Sequence, residues 1–98
     1  MSKKVCFVTR HPDYALDCMR SALGLAVENM YAYCAVTVEV PELDDYNKEN
    51  LEWIRDMEGE VYSTEKGNVD KNEMAPISLE ELGQKLKEMD IVVPYGIV

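Results

Sequence analysis

The stretch from Lys4 to Thr9, KVCFVT, is apolar at consecutive positions and rich in β-branched and aromatic side chains. A strand with one wet face alternates apolar and polar residues. A continuous run instead suits a strand covered on both faces, as in a parallel sheet. Parallel neighbours cannot be joined by a tight turn; each pair needs a crossover, usually a helix. Such a strand therefore requires the rest of the chain to alternate helices with strands.

The remaining sequence has that alternation. Pro12 and Asp13 suit a first helical turn, because Pro there forfeits no hydrogen bond and an anion favours the positive end of the helix dipole. Leu16, Met19, Leu23, Ala26, Val27 and Met30 recur at helical spacing, which predicts a first helix from about Asp13 to Asn29. Tyr33 to Val40 (YCAVTVEV) reads as a second strand, closed by Pro41. A second helix is expected from about Lys48 to Glu58. Its buried face is Leu51, Ile54 and Met57, with Trp53 beside them and Gly59 as its stop. Glu60 to Thr64 (EVYST) reads as a third strand, and the polar stretch from Glu65 to Pro76 as a loop.

The last helix has the clearest start. Ser78 and Glu81 have the spacing of a capping box, and Ile77 can staple onto Leu82. Leu79, Leu82, Leu86 and Met89 line one face, and Ile91 to Val93 forms a fourth strand before Pro94. The order predicts an α/β fold, a three-layer α/β/α doubly wound and mainly parallel sheet of about four strands. The first strand is expected at its centre. The 98 residues fill one domain, 1–98. A core this small is marginal, so burial against another subunit would help it.

With 19 acidic and 10 basic side chains, the formal net charge is −9. That charge repels phosphate backbones, and no basic stripe offsets it, so nucleic acid is not an expected partner. No apolar run approaches the roughly 20 residues of a membrane span. Val5 to Val8 is too short for a signal-peptide core, so a cytoplasmic protein is expected. Cys6, Cys18 and Cys34 include no Cys-x-x-Cys pair and are expected as free thiols.

Sheets of this kind bind ligands at the carboxyl ends of their strands, near a switch in strand order. That rule brings Arg10, His11, Pro41, Ser63, Thr64, Tyr95 and Gly96 to one rim. Arg10, His11, Ser63 and Thr64 are its candidate ligand contacts. His11 is the only imidazole. It suits acid–base or anion-binding work, and equally an ordinary solvent-facing turn. Cys6 and Cys34 suit core positions in strands. Cys18, on the flank of the first helix's stripe, is a weak candidate for a reactive thiol. No GxGxxG or Walker loop is present, and one histidine with scattered cysteines does not form a zinc site, so neither cofactor nor metal is expected.

Three stretches resemble the DsrE/DsrF/DsrH-like family, which includes sulfur-relay subunits of the TusB, TusC and TusD type. They are VCFVTRHPDYALDCMRSALGLAVEN, YCAVTVEV and SLEELGQKLKEMDIVVPYG. The resemblance implies a cytoplasmic protein that forms homo-oligomers or assembles with related subunits. In the catalytic members a cysteine just after the third strand carries sulfur as a persulfide. The corresponding stretch here, VYSTEKGNVDKNEM, has Ser63 and Thr64 but no cysteine. A hydroxyl cannot hold a persulfide, so the resemblance points to a non-catalytic partner subunit of the DsrF/TusC kind. Two alternatives stay open: a small-ligand-binding domain using the rim near Arg10 and His11, and a sulfurtransferase working through Cys18.

Overall fold

The computed structural model describes residues 3–11, 14–28 and 30–94. Five strands and four helices appear among them: β1 (Lys4–Thr9), α1 (Ala15–Val27), β2 (Tyr31–Val36), α2 (Asp45–Asp56), β3 (Glu60–Ser63), α3 (Lys66–Asn72), β4 (Ala75–Pro76), α4 (Leu79–Lys87) and β5 (Ile91–Pro94). Every strand pair is parallel, and the sheet order is β4-β3-β2-β1-β5. The chain steps outward from β1 to β4, then returns through α4 to place β5 beside β1. This is the doubly wound α/β pattern. β1 is interior, paired on both edges along its apolar run; β2 holds the midpoint of the five strands.

Period-two alternation divides the core. Val5 and Phe7 of β1, Ala32, Cys34 and Val36 of β2 and Val61 of β3 face α1 and α2. Cys6 and Ala35 face the opposite way, under Ile77 and Leu82 at the start of α4, with Val8, Tyr33, Tyr62, Leu86 and Met89 packed around them.

The buried face of α1 is Ala15, Cys18, Met19 and Ala22, each at most 1% exposed, whereas Leu16 is 36% exposed. The helix is thus rotated from the expected stripe. Three small residues, Ala15, Cys18 and Ala22, face the sheet beside Met19 and let the helix lie close. Cys18 consequently sits in the middle of the packed face, and its expected place on the flank is corrected.

β2 begins two residues earlier than predicted and ends at Val36. Its register with β1 runs from Lys4–Tyr31 to Thr9–Val36, and β3 ends opposite the same residue, at Ser63. Past Val36 only Thr37 still reaches a neighbouring strand, its amide donating to the Thr9 carbonyl at 2.9 Å, and Val38 to Val40 leave the sheet despite their strand-like composition.

The expected loop from Glu65 to Pro76 instead contains α3 and the two-residue strand β4. Asn68 and Asn72, one helical turn apart on α3, are buried at 0% and 1% exposure. The Asn68 amide group donates to the Val38 carbonyl (2.8 Å) and to Ser63 Oγ (2.9 Å), and its oxygen accepts from the Val40 amide (3.0 Å). The Asn72 oxygen accepts from the Leu43 amide at 2.8 Å, and its amide group donates to the Pro41 carbonyl at 3.2 Å. These two side chains supply the hydrogen bonds that the segment after β2 no longer receives from a neighbouring strand. Arg55, at the end of α2, pairs with Glu60 at 2.6 Å and donates to the Glu73 carbonyl, which ties the end of α3 to the base of β3.

The capping box forms as read. The Glu81 amide donates to Ser78 Oγ at 3.1 Å, and the Ser78 amide donates to the Glu81 carboxylate at 3.0 Å. That second bond holds the Glu81 carboxyl below its ordinary range. The carboxylate half of the box is therefore intact above the ordinary glutamate range and is lost as pH falls through the lowered value. Ser78→Ala is expected to cost about 1 kcal/mol. Urea unfolding checks this, and an unchanged midpoint would contradict the role of the cap.

Candidate functional site

A half-open cleft of about 600 Å³ lies at the carboxyl end of the sheet, lined by Ala15, Leu16, Val40, Pro41, Glu42, Leu43, Asp44 and Asn47. Three segments build it. The first turn of α1 supplies Ala15 and Leu16. The segment after β2 supplies residues 40 to 44, fixed from behind by the Asn72 bonds to Pro41 and Leu43. The start of α2 supplies Asn47, beneath the N-cap residue Asp44.

The cap explains why α2 begins three residues before its predicted start. Asp44 Oδ1 accepts from the Asn47 backbone amide at 2.9 Å and from the Asn47 side-chain amide at 2.8 Å. Those bonds hold the Asp44 carboxyl below its ordinary range. It stays ionised at neutral pH and satisfies an amide of the first turn that would otherwise have no partner. Glu42, also on the cleft wall, is largely exposed and reaches Lys48 at 3.5 Å. The cleft therefore has an apolar wall from Ala15, Leu16, Val40, Pro41 and Leu43, and an acidic rim.

Of the predicted rim residues that are described, Arg10, His11, Pro41, Ser63 and Thr64, only Pro41 lines this cleft. Arg10 and His11 are exposed just after β1, beside the switch in strand order. The His11 ring meets the Tyr14 ring edge-on, with centroids 5.2 Å apart. Ser63 is 1% exposed. Its hydroxyl donates to the Val36 carbonyl at 2.8 Å and accepts from the Glu65 amide at 3.0 Å as well as from Asn68. Its expected role as a ligand contact is corrected: the hydroxyl is fully engaged in holding the ends of β2 and β3 together. Thr64 is half-buried at the exit of β3, with Oγ1 3.3 Å from Glu65 Oε2. Tyr95 and Gly96 lie outside the described residues.

No family model, no curated protein and no solved structure matches this chain.

All three thiols are buried. Burial, with a smaller contribution from Cys18, pushes the Cys6 thiol up to about 12. Its hydrogen bond with Cys18, followed by burial, raises Cys34 well above the ordinary thiol range. Cys18, the candidate reactive thiol, is 0% exposed and lies 3.6 Å from Cys34 Sγ. A sulfur carrier needs an accessible thiolate, and burial in apolar surroundings gives the opposite.

Among the described residues no group of three or more His, Cys, Asp or Glu side chains is placed to hold a metal ion. Nor is any helix among them long and apolar enough to cross a membrane. The acidic cap and the Asn68–Asn72 pair had partial signals in the sequence. Asp44 and Asn47 have N-cap spacing, and the two asparagines stand four residues apart.

Proposed function

We propose that this chain is a non-catalytic, oligomer-forming subunit of the DsrE/DsrF kind, serving as a structural or partner component of intracellular sulfur relay. The observation that carries the reading is the exit of β3. The stretch that leaves β3, where the resemblance places the sulfur-bearing cysteine of the catalytic members, holds Ser63 and Thr64 but no cysteine, and every thiol of the chain is packed in the core. Assembly finds support in the exposed apolar residues. Trp53 is 50%, Leu79 73%, Ile91 44% and Val92 41% exposed. Ile91 and Val92 belong to β5, an edge strand paired only with β1. Apolar and aromatic side chains of this kind are enriched in subunit contacts. Tyr31 and Tyr62 are half-buried, and the Tyr62 ring stacks on Tyr33 with centroids 6.4 Å apart.

A second reading, small-ligand binding, is favoured by the cleft, whose volume lies in the range of small-molecule pockets. The two readings diverge in solution. Light scattering at high micromolar concentration is expected to give at least twice the chain mass of 11.2 kDa. A monomer at that concentration would contradict the assembly and leave ligand binding as the better reading.

A further inference from the structure

The Cys18–Cys34 pair takes no part in the cleft or in the exposed apolar surface. We infer that it is a disulfide-forming modification site, in which a peroxide-class oxidant joins α1 covalently to β2. The two Sγ atoms are 3.6 Å apart in the resting fold. The Cys34 thiol donates to the Cys18 carbonyl at 3.4 Å, so the Cys34 sulfur also lies against the backbone of its partner. The Cys18 thiol is within 3.6 Å of the Phe7 carbonyl. A disulfide bond measures about 2.05 Å, so closing the gap asks each sulfur to move by less than about 1 Å. Side-chain rotation supplies movement of that size. Cys6 projects from the other face of the sheet and belongs to the cluster under α4.

The chemistry balances with one peroxide. One thiol attacks the peroxide oxygen, becomes a sulfenic acid and releases water. The second sulfur then displaces the sulfenic oxygen as a second water, and the S–S bond forms. Two thiol protons and two electrons leave the protein, and the peroxide is reduced. The pair is already in contact, so the second step outpaces further oxidation of the sulfenic acid. Burial and the hydrogen bond to Cys18 keep Cys34 protonated, so the first step is slow at neutral pH and accelerates toward alkaline pH.

The product closes a loop between residues 16 apart in sequence. A loop of that length constrains the unfolded chain enough to raise the unfolding midpoint by about 10 °C, provided that the bridge forms without strain.

The test uses the whole chain. Native protein is incubated with hydrogen peroxide, denatured, alkylated with iodoacetamide and digested with trypsin. Arg10 and Arg20 separate the three cysteines into different peptides, so any linkage can be read directly by mass spectrometry. The expected product is a Cys18–Cys34 cross-link, lighter by two hydrogen atoms, with Cys6 alone of the three thiols alkylated. Its thermal midpoint without reductant is expected to lie about 10 °C above that of the reduced protein. Cys6→Ala should still form the bridge, and Cys34→Ala should not. Because the native protein alone decides the linkage, a variant that failed to fold would not obscure the result. Three alkylated thiols after prolonged oxidation, a bridge that includes Cys6, sulfinic acid at Cys18 or Cys34, or a midpoint that does not rise would each overturn the inference.

Discussion

Asn68→Ala is expected to destabilise the protein by about 4 kcal/mol, lowering the thermal midpoint by roughly 15 °C or more. The side chain is 0% exposed and makes three hydrogen bonds, to the Val40 amide, the Val38 carbonyl and Ser63 Oγ. Truncation takes the side-chain partner from the Val40 amide and the Val38 carbonyl, whereas Ser63 Oγ keeps its bonds to the Val36 carbonyl and the Glu65 amide; each buried orphan costs about 1–3 kcal/mol before relaxation. Water entering the gap would recover part of this, so the expected loss is below the sum. Asn68→Asp keeps the acceptor for Val40 but turns an anion toward the Val38 carbonyl, and is expected to be at least as damaging. Asn72→Ala, which loses two bonds, should cost about half as much. Thermal unfolding of the three variants checks the order. A loss below about 1 kcal/mol at Asn68 would show that α3 does not hold the segment after β2.

Gly59→Ala is expected to cost about 3 kcal/mol, for a reason that differs from the usual one for a glycine after a helix. The left-handed residue at the end of α2 is Glu58, with φ 67°. Gly59 is needed because β2 passes directly over it. A Cβ there would collide with the Ala32 carbonyl oxygen and press on Ile54 Cγ2 at 3.0 Å. The Ala32 oxygen is backbone, so the relief must come from moving β2 or the end of α2, both packed in the core. Gly67→Ala makes a suitable control. The nearest atoms its Cβ would meet belong to the Glu39 side chain, which is exposed and can swing aside at the cost of a surface ion pair with Lys71 at 3.8 Å. The gain in helix propensity there is expected to leave stability within about 1 kcal/mol of wild type, on the stabilising side. Equal losses at the two glycines would contradict the close approach at Gly59.

These residues also mark where the sequence could be read and where it could not. β1 was legible because both of its faces are covered, so its apolar run is continuous. The Ser78 cap was legible because the signal is local and lies within four residues. α3 was not, because seven residues are too few to show a period. Its buried positions are also asparagines, which look like loop composition until the backbone after β2 supplies their partners. The length of β2 depended on where β1 and β3 end, which no pattern within β2 records. The orientation of α1 turned on whether leucines or small residues face the sheet, and close packing decided for Ala15, Cys18 and Ala22. Arg10 and His11 follow β1 directly, but the cleft was missed because its walls come from three separate segments and α2 starts earlier than its apolar spacing suggests.

Persulfide labelling of the native protein tests most directly whether this chain carries sulfur. The reduced protein is exposed to a persulfide donor, alkylated, digested and read by mass spectrometry, with a parallel sample in denaturant. Burial of all three thiols predicts that Cys6, Cys18 and Cys34 react far more slowly in the native sample than in the unfolded one, where all three are modified. Rapid, stoichiometric persulfide at Cys18 in the native protein, lost in Cys18→Ser, would contradict a non-catalytic subunit and make the chain a sulfur carrier in its own right.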